Sequence, residues 1–247
     1  MKLKVIACDV LTREVYHACA ESPHVCEVTL IPFGLHDTPS KLRDRLQEEI
    51  DSADAGGCDA IALAYALCSR GTAGLAAHTK PIVIPRAHDC ITLFLGSRER
   101  YAEEFHSHPG TYYYSAGWIE HNKDGNIRQG YISEAEEKDK EARLQEYIQK
   151  YGEDNAAYLL EMESQWTDHY SRAALIDVGL GDIERYRNAT KRIAEERGWE
   201  YAELPGDRSL IIKLIFGEWD NDFLRVEPGM RIAESFDERI ICALPVE

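Results

Sequence analysis

No apolar run in this sequence approaches the roughly 18–20 residues that a membrane-spanning helix needs, which excludes a helical span. Positive charge is scarce: 28 Lys and Arg stand against 44 Asp and Glu, for a net charge of −16. Nucleic acid and anionic membranes are therefore poor partners, because both require a dense basic patch that releases counterions. None of the seven cysteines, at positions 8, 19, 26, 58, 68, 90 and 242, forms a C-x-x-C pair, so zinc-ribbon and thioredoxin-type motifs are absent. An odd number of thiols cannot pair completely. The opening MKLKVIACDV enters an apolar run too short for a secretory signal and has no small-residue cleavage site, which predicts a cytoplasmic protein with reduced thiols. What is present is 247 residues with 44% hydrophobic side chains. That is enough for one large or two small domains, and it excludes a disordered tail or a disulfide-stapled miniprotein.

The pattern is strand alternating with helix. Apolar runs at Lys2–Ala7, Val25–Ile31, Asp59–Ala66 and Pro81–Pro85 read as strands, and the third is continuous enough to be buried on both faces. Helices are expected over Thr12–Ala20, Pro39–Ile50, the stretch after Gly71 through Ala77, and Ile91–Leu95. Beyond Thr111–Ala116, a polar, acidic stretch with the charged run Glu134–Arg143 reads as an exposed helical insertion. The α/β pattern then resumes. It comprises a helix with Leu159, Met162, Trp166 and Tyr170, strands at Ala174–Val178, Trp199–Leu204, Phe223–Val226 and Ile240–Leu244, and helices at Ile183–Arg197 and Ser209–Phe216. The expectation is an α/β fold of two Rossmann-like lobes with mostly parallel sheets. The lobes would span residues 1–115 and 156–247, with the insertion at 116–155.

Ligands of open parallel sheets bind beyond the carboxyl ends of the strands. That rule divides the cysteines. Cys8, Cys68 and Cys90 each follow a strand end and share one sheet edge, whereas Cys19, Cys26, Cys58 and Cys242 fall within or before elements and read as structural. Three thiols at one edge suit zinc or an iron–sulfur cluster and leave one coordination position open. Asp89 reads as an N-cap that places Cys90 at a helix start, and Arg70 and Arg86 add positive charge, an arrangement that favours thiolate. Arg86 and His88 would orient a small anionic or one-carbon substrate. The blander reading, small residues in tight turns, uses the same positions. A Cys90 nucleophile with His88 as base needs the imidazole within hydrogen-bond reach. A two-cysteine racemase needs a thiol from each lobe, and the second lobe's strand ends carry Gly179, Gly206 and Gly229 instead. The turn from Cys68 to Gly74 lacks the G-K-[S/T] ending of a phosphate loop. Tyr112, Tyr113, Tyr114 and Trp118 are expected near the same edge, with Trp166, Tyr170 and Trp219 in reach, as the wall of a pocket or as core. Tyr113 and Trp118, with Arg70, are the candidate contacts to a bound cofactor.

The segments Ala64-Tyr65-Ala66-Leu67-Cys68-Ser69-Arg70-Gly71, Pro85-Arg86-Ala87-His88-Asp89-Cys90-Ile91-Thr92-Leu93-Phe94-Leu95-Gly96-Ser97 and Pro109-Gly110-Thr111-Tyr112-Tyr113, with the stretch from Gly217 to Gly229, resemble the family of uncharacterised proteins catalogued as domain of unknown function 1638. The Pro-Arg-Ala-His-Asp-Cys segment is the most specific part. The resemblance implies cysteines of the family pattern at Cys8, Cys68 and Cys90, and an association with corrinoid-dependent methyltransferase systems. Where the family pattern often has Gly-Asn after the middle cysteine, this chain has Ser69-Arg70. Two functions follow as expectations. One is a cysteine-liganded metal or iron–sulfur protein with a cleft for a small ligand. The other is a non-catalytic accessory protein that binds a corrinoid or a methyltransferase partner.

Overall fold

The computed structural model describes residues 1–121 and 169–246, together with residues 144, 145, 148, 149 and 152. Two sheets form the frame. The first has five strands in the order β2-β1-β3-β4-β8, namely β1 (Lys2–Cys8), β2 (Val25–Ile31), β3 (Ala60–Ala64), β4 (Ile82–Pro85) and β8 (Phe223–Val226). Strands β1 to β4 run parallel, and β8 closes the edge antiparallel to β4. The second sheet is parallel, in the order β5-β6-β7: β5 (Thr111–Tyr114), β6 (Arg172–Asp177) and β7 (Glu200–Pro205). A hairpin of β9 (Met230–Glu234) and β10 (Ile241–Pro245) lies beside the first sheet. Each sheet draws strands from both sides of residue 115, since β5 pairs with β6 and β8 pairs with β4.

The helices follow from the burial pattern. Helix α1 (Thr12–Glu21), α2 (Pro39–Ala55), α3 (Cys90–Leu95), α4 (Arg98–Ser107), α5 (Ala116–His121), α6 (Ile183–Arg197) and α7 (Ser209–Phe216) complete the described elements. Side chains alternate across a strand, and the first sheet uses both faces. Leu3, Val5, Ala7, Ala62 and Ala64 point into a core shared with α1, α3, α7 and the Ala174 and Ile176 side of β6. Ile6, Ile61 and Leu63 point the other way, onto Leu42, Leu46 and Ile50 of α2 and onto the hairpin. A smaller core joins Tyr114, Ala173 and Leu175 to Tyr186, Ile193 and Ala194 of α6. One core thus joins the two sheets through α1, α3 and α7.

One sequence expectation changes, and two elements are added to it. The stretch after Gly71 is not helical: Gly74 takes a φ of +97°, and the segment hydrogen-bonds to the hairpin through Gly74 N–H to Ile232 O and Ala77 N–H to Met230 O. Helix α4 and strand β9 were not foreseen. The acidic run and the helix expected around Leu159, Met162 and Trp166 lie outside the described residues. Among the described residues, no helix is long and apolar enough to cross a membrane.

Candidate functional site

Parallel pairing puts the carboxyl ends of β1, β3 and β4 at one edge, with Ala7 opposite Ala64 and Ala62 opposite Val83. Cys8 ends β1, while Cys68 and Cys90 follow β3 and β4 within a few residues. Beyond the strands the two loops stay abreast, because Leu67 N–H donates to Ala87 O and Cys68 N–H to His88 O, each at 2.9 Å. The three thiols stand within electrostatic reach of one another. All seven cysteines are free.

The middle thiol sits on unusual backbone. Cys68, Ser69 and Arg70 are all left-handed, with φ of +46°, +53° and +70°, a conformation that costs a non-glycine residue about 1–2 kcal/mol. Such strain persists only where the surroundings hold it. Here the buried Thr72 hydroxyl donates to Ala66 O at 3.0 Å, and Gly71 packs so closely on Leu42 that an added Cβ would lie 2.5 Å from its Cδ2. Cys90 is the first residue of α3, as expected. The Asp89 carboxylate caps that helix by accepting from Ile91 N–H at 3.0 Å, and its other oxygen accepts from the Tyr101 hydroxyl at 3.0 Å.

The thiols are held neutral. Burial pushes Cys8 up to about 11 and Cys68 up to about 12. Burial also lifts Cys90 far above the ordinary thiol range, with Asp89 and the other two thiols adding to it. This corrects the thiolate-favouring environment expected from the helix start and two arginines. Arg70 faces outward and pairs with Glu234 at 2.9 Å. Arg86 donates to Arg239 O at 3.1 Å and to Ile241 O, tying the hairpin down rather than facing the thiols. The charges bearing on Cys90 come from Asp89, Cys68 and Cys8, and no basic side chain is among them.

Tyr65 is the residue that sequence reasoning missed. It follows directly on β3, is 3% exposed, and its buried hydroxyl faces the Cys8 sulfur. Its polar neighbours are the thiols of Cys8 and Cys68 and the carboxylate of Asp9. Asp9 itself pairs with His121 at 3.3 Å.

His88 is exposed and opens onto a cleft of about 790 Å³, lined also by Asp89, Arg98, Glu99, Tyr101, Phe105, Asp237 and Glu238. The three tyrosines of β5 divide as alternation requires. Tyr112 and Tyr114 pack toward α6, with ring centroids 5.0 Å apart, while Tyr113 turns toward Cys90. Tyr113, Trp118, Cys90, Ile91 and Phe94 enclose a cavity of about 40 Å³, room for about one water. Trp118 stands edge-on to Tyr114, at 4.9 Å between centroids. Tyr170 packs on Tyr112, and Trp219 donates to Leu214 O at the end of α7.

Among the described residues, no group of three or more His, Cys, Asp and Glu side chains is arranged to hold a metal ion. Metal binding by Cys8, Cys68 and Cys90 therefore requires the three thiols to lose their protons and turn toward a common point. No curated protein and no solved structure matches the chain. A family model described as "Protein of unknown function (DUF1638)" matches residues 30–215, most of the chain, and the protein therefore belongs to that family.

Proposed function

We propose that Cys8, Cys68 and Cys90 bind a soft metal, zinc or an iron–sulfur cluster, at the mouth between two Rossmann-like lobes, and that the adjoining cleft admits a small ligand carrying a one-carbon group. The observation that carries this reading is that three partly buried thiols from three neighbouring strand ends lie within electrostatic reach of one another, one of them on three consecutive left-handed residues. Buried among carboxylates and without a cation, these thiols are inert as nucleophiles, because reactivity belongs to the thiolate. A metal ion supplies the missing positive charge and deprotonates its ligands. Three thiolates leave a fourth position for a ligand.

The cleft favours a cation over the anion expected from Arg70 and Arg86. Asp237 is neutralised by Arg239 at 2.6 Å. Asp89 is taken up by Ile91 N–H and the Tyr101 hydroxyl, which leaves Glu99 and Glu238 against Arg98, beside the rings of Tyr101 and Phe105. Carboxylates with aromatic faces suit an ammonium or quaternary ammonium group.

Protein purified anaerobically is expected to carry about one zinc ion or one cluster per chain by metal analysis and absorption spectroscopy, and Cys68→Ser and Cys90→Ser are expected to hold it more weakly and to retain less of it through purification. Metal-free wild-type protein that stays metal-free after incubation with zinc or iron and sulfide would sink the proposal.

A further inference from the structure

We infer that Cys19 and Cys26 form a peroxide-responsive dithiol: oxidation closes a disulfide between them that clasps the end of α1 to strand β2, and a thiol reductant opens it again. Both cysteines read as structural from the sequence alone, and the inference is independent of the three strand-end thiols.

Two elements bring these sulfurs together. Cys19 lies one turn after Val15 on α1, so the two share a face of the helix. In β2 one side of the strand carries Cys26, Val28 and Leu30. Both faces pack on the same core, in which Val15 is fully buried and Cys19, Cys26, Val28 and Leu30 are partly buried. The connecting turn, residues 22–24, is fixed from outside: the Ser22 hydroxyl donates to Ile215 O at 3.0 Å, and His24 Nε2 donates to Phe216 O at 3.1 Å. Within this frame the Cys26 S–H donates to His24 O at 3.8 Å, and the Cys19 side chain hydrogen-bonds the Cys26 sulfur. Both thiols are free and neither residue is fully buried. Hydrogen-bonded sulfurs reach the roughly 2.05 Å of a disulfide by side-chain rotation, with α1 and β2 held in place by the core and the turn. Hydrogen peroxide is the oxidant. One sulfur attacks it and becomes a sulfenic acid, releasing water; the other then displaces the sulfenic oxygen as a second water. The two thiols thus give up two electrons and two protons, all taken by the peroxide. Closing the short loop from Cys19 to Cys26 lowers the entropy of the unfolded chain, so the clasp stabilises the fold.

The test treats the reduced chain with hydrogen peroxide, blocks the remaining thiols with iodoacetamide and digests the product with trypsin for mass spectrometry. Residues 14–41 contain both cysteines and no Lys or Arg before Lys41, so one peptide reports the pair. That peptide is expected to be two hydrogens lighter than its reduced form and to take up no iodoacetamide, and to accept two labels again after dithiothreitol. Oxidised protein is expected to melt about 5–10 °C above reduced protein, from the loop-closure entropy spread over the unfolding entropy of a chain this size. Cys26→Ala should show no such rise. A peptide that still takes up two labels, carries a sulfinic acid beside a labelled cysteine, or is linked to a different peptide overturns the inference. So does an unchanged or lower midpoint once the bond has formed, or a rise that persists in Cys26→Ala. If Cys26→Ala does not fold, Cys19→Ser takes its place, and the wild-type peptide decides in either case.

Discussion

Gly117→Ala is expected to cost the fold about 3 kcal/mol or more, the upper range of overpacking, and to lower the urea midpoint accordingly. Gly117 is the second residue of α5, and a Cβ there would lie 1.7 Å from Val10 O, 2.5 Å from Val10 C and 2.9 Å from Val10 Cα. All three atoms are backbone, so no side-chain rotation relieves the overlap. Val10 belongs to the 3-10 turn Asp9–Leu11, which follows Cys8 directly. The clash therefore moves either the helix or the turn beside the thiol. Helix α5 also carries Glu120, which accepts from Arg13 at 2.7 and 2.8 Å and from the Tyr186 hydroxyl, and these bonds shift with it. Gly179→Ala is the contrast: nothing lies within 4 Å of its Cβ position, and only the φ of +74° opposes the change, a cost of about 1–2 kcal/mol. A Gly117→Ala midpoint equal to that of wild type would show that the two backbones are not in contact.

Glu14→Gln is expected to stabilise the protein at pH 8 by about 3 kcal/mol and to change little at pH 4.5. Glu14 lies on the buried face of α1, 1% exposed, with neither carboxylate oxygen hydrogen-bonded. Burial raises its pKa to about 7 from the usual 4.5, with the charges of Arg13 and Arg208 offsetting only part. Between those values the folded chain holds a proton that the unfolded chain has released. Stability therefore falls as pH rises through the window, by about 1.4 kcal/mol for each unit separating the two pKa values. Above pH 7 the whole penalty is present. Glutamine keeps the shape and cannot ionise, so the difference between variant and wild type isolates this group from the chain's other carboxylates. Urea midpoints of both proteins at pH 4.5, 6 and 8 measure it. A difference independent of pH would mean that Glu14 is solvated in the folded protein, and one that grew the other way would mean that it is paired with a cation.

The parts of the fold legible in the sequence are those whose apolar period survives burial. Phe223–Val226, Ile183–Arg197 and Ser209–Phe216 stand where the pattern placed them. Helix α4 carried no such signal because none of its residues is buried; its visible cue is Ser97, whose hydroxyl accepts from Arg100 N–H at 3.1 Å. Strand β9 mixes Arg231 and Glu234 with its apolar residues, and its antiparallel partner β10 is set by a loop rather than by a pattern. That Cys8, Cys68 and Cys90 share an edge was legible, since parallel strands end together. The directions of Arg70 and Arg86 were not, because each is claimed by the hairpin, of which the apolar pattern showed only the second strand, Ile240–Leu244. Tyr65 was hidden in plain view: within the run Asp59–Ala66 it reads as one more apolar strand residue, and only the placement of its buried hydroxyl beside the Cys8 sulfur distinguishes it.

The central claim is that these three sulfurs bind one metal. X-ray absorption at the zinc edge, on protein loaded anaerobically with one equivalent, counts them directly. The account predicts three sulfur neighbours at about 2.3 Å, with Cys68→Ser protein reduced to two. A first shell of nitrogen and oxygen alone, or a sulfur count unchanged by Cys68→Ser, would contradict it.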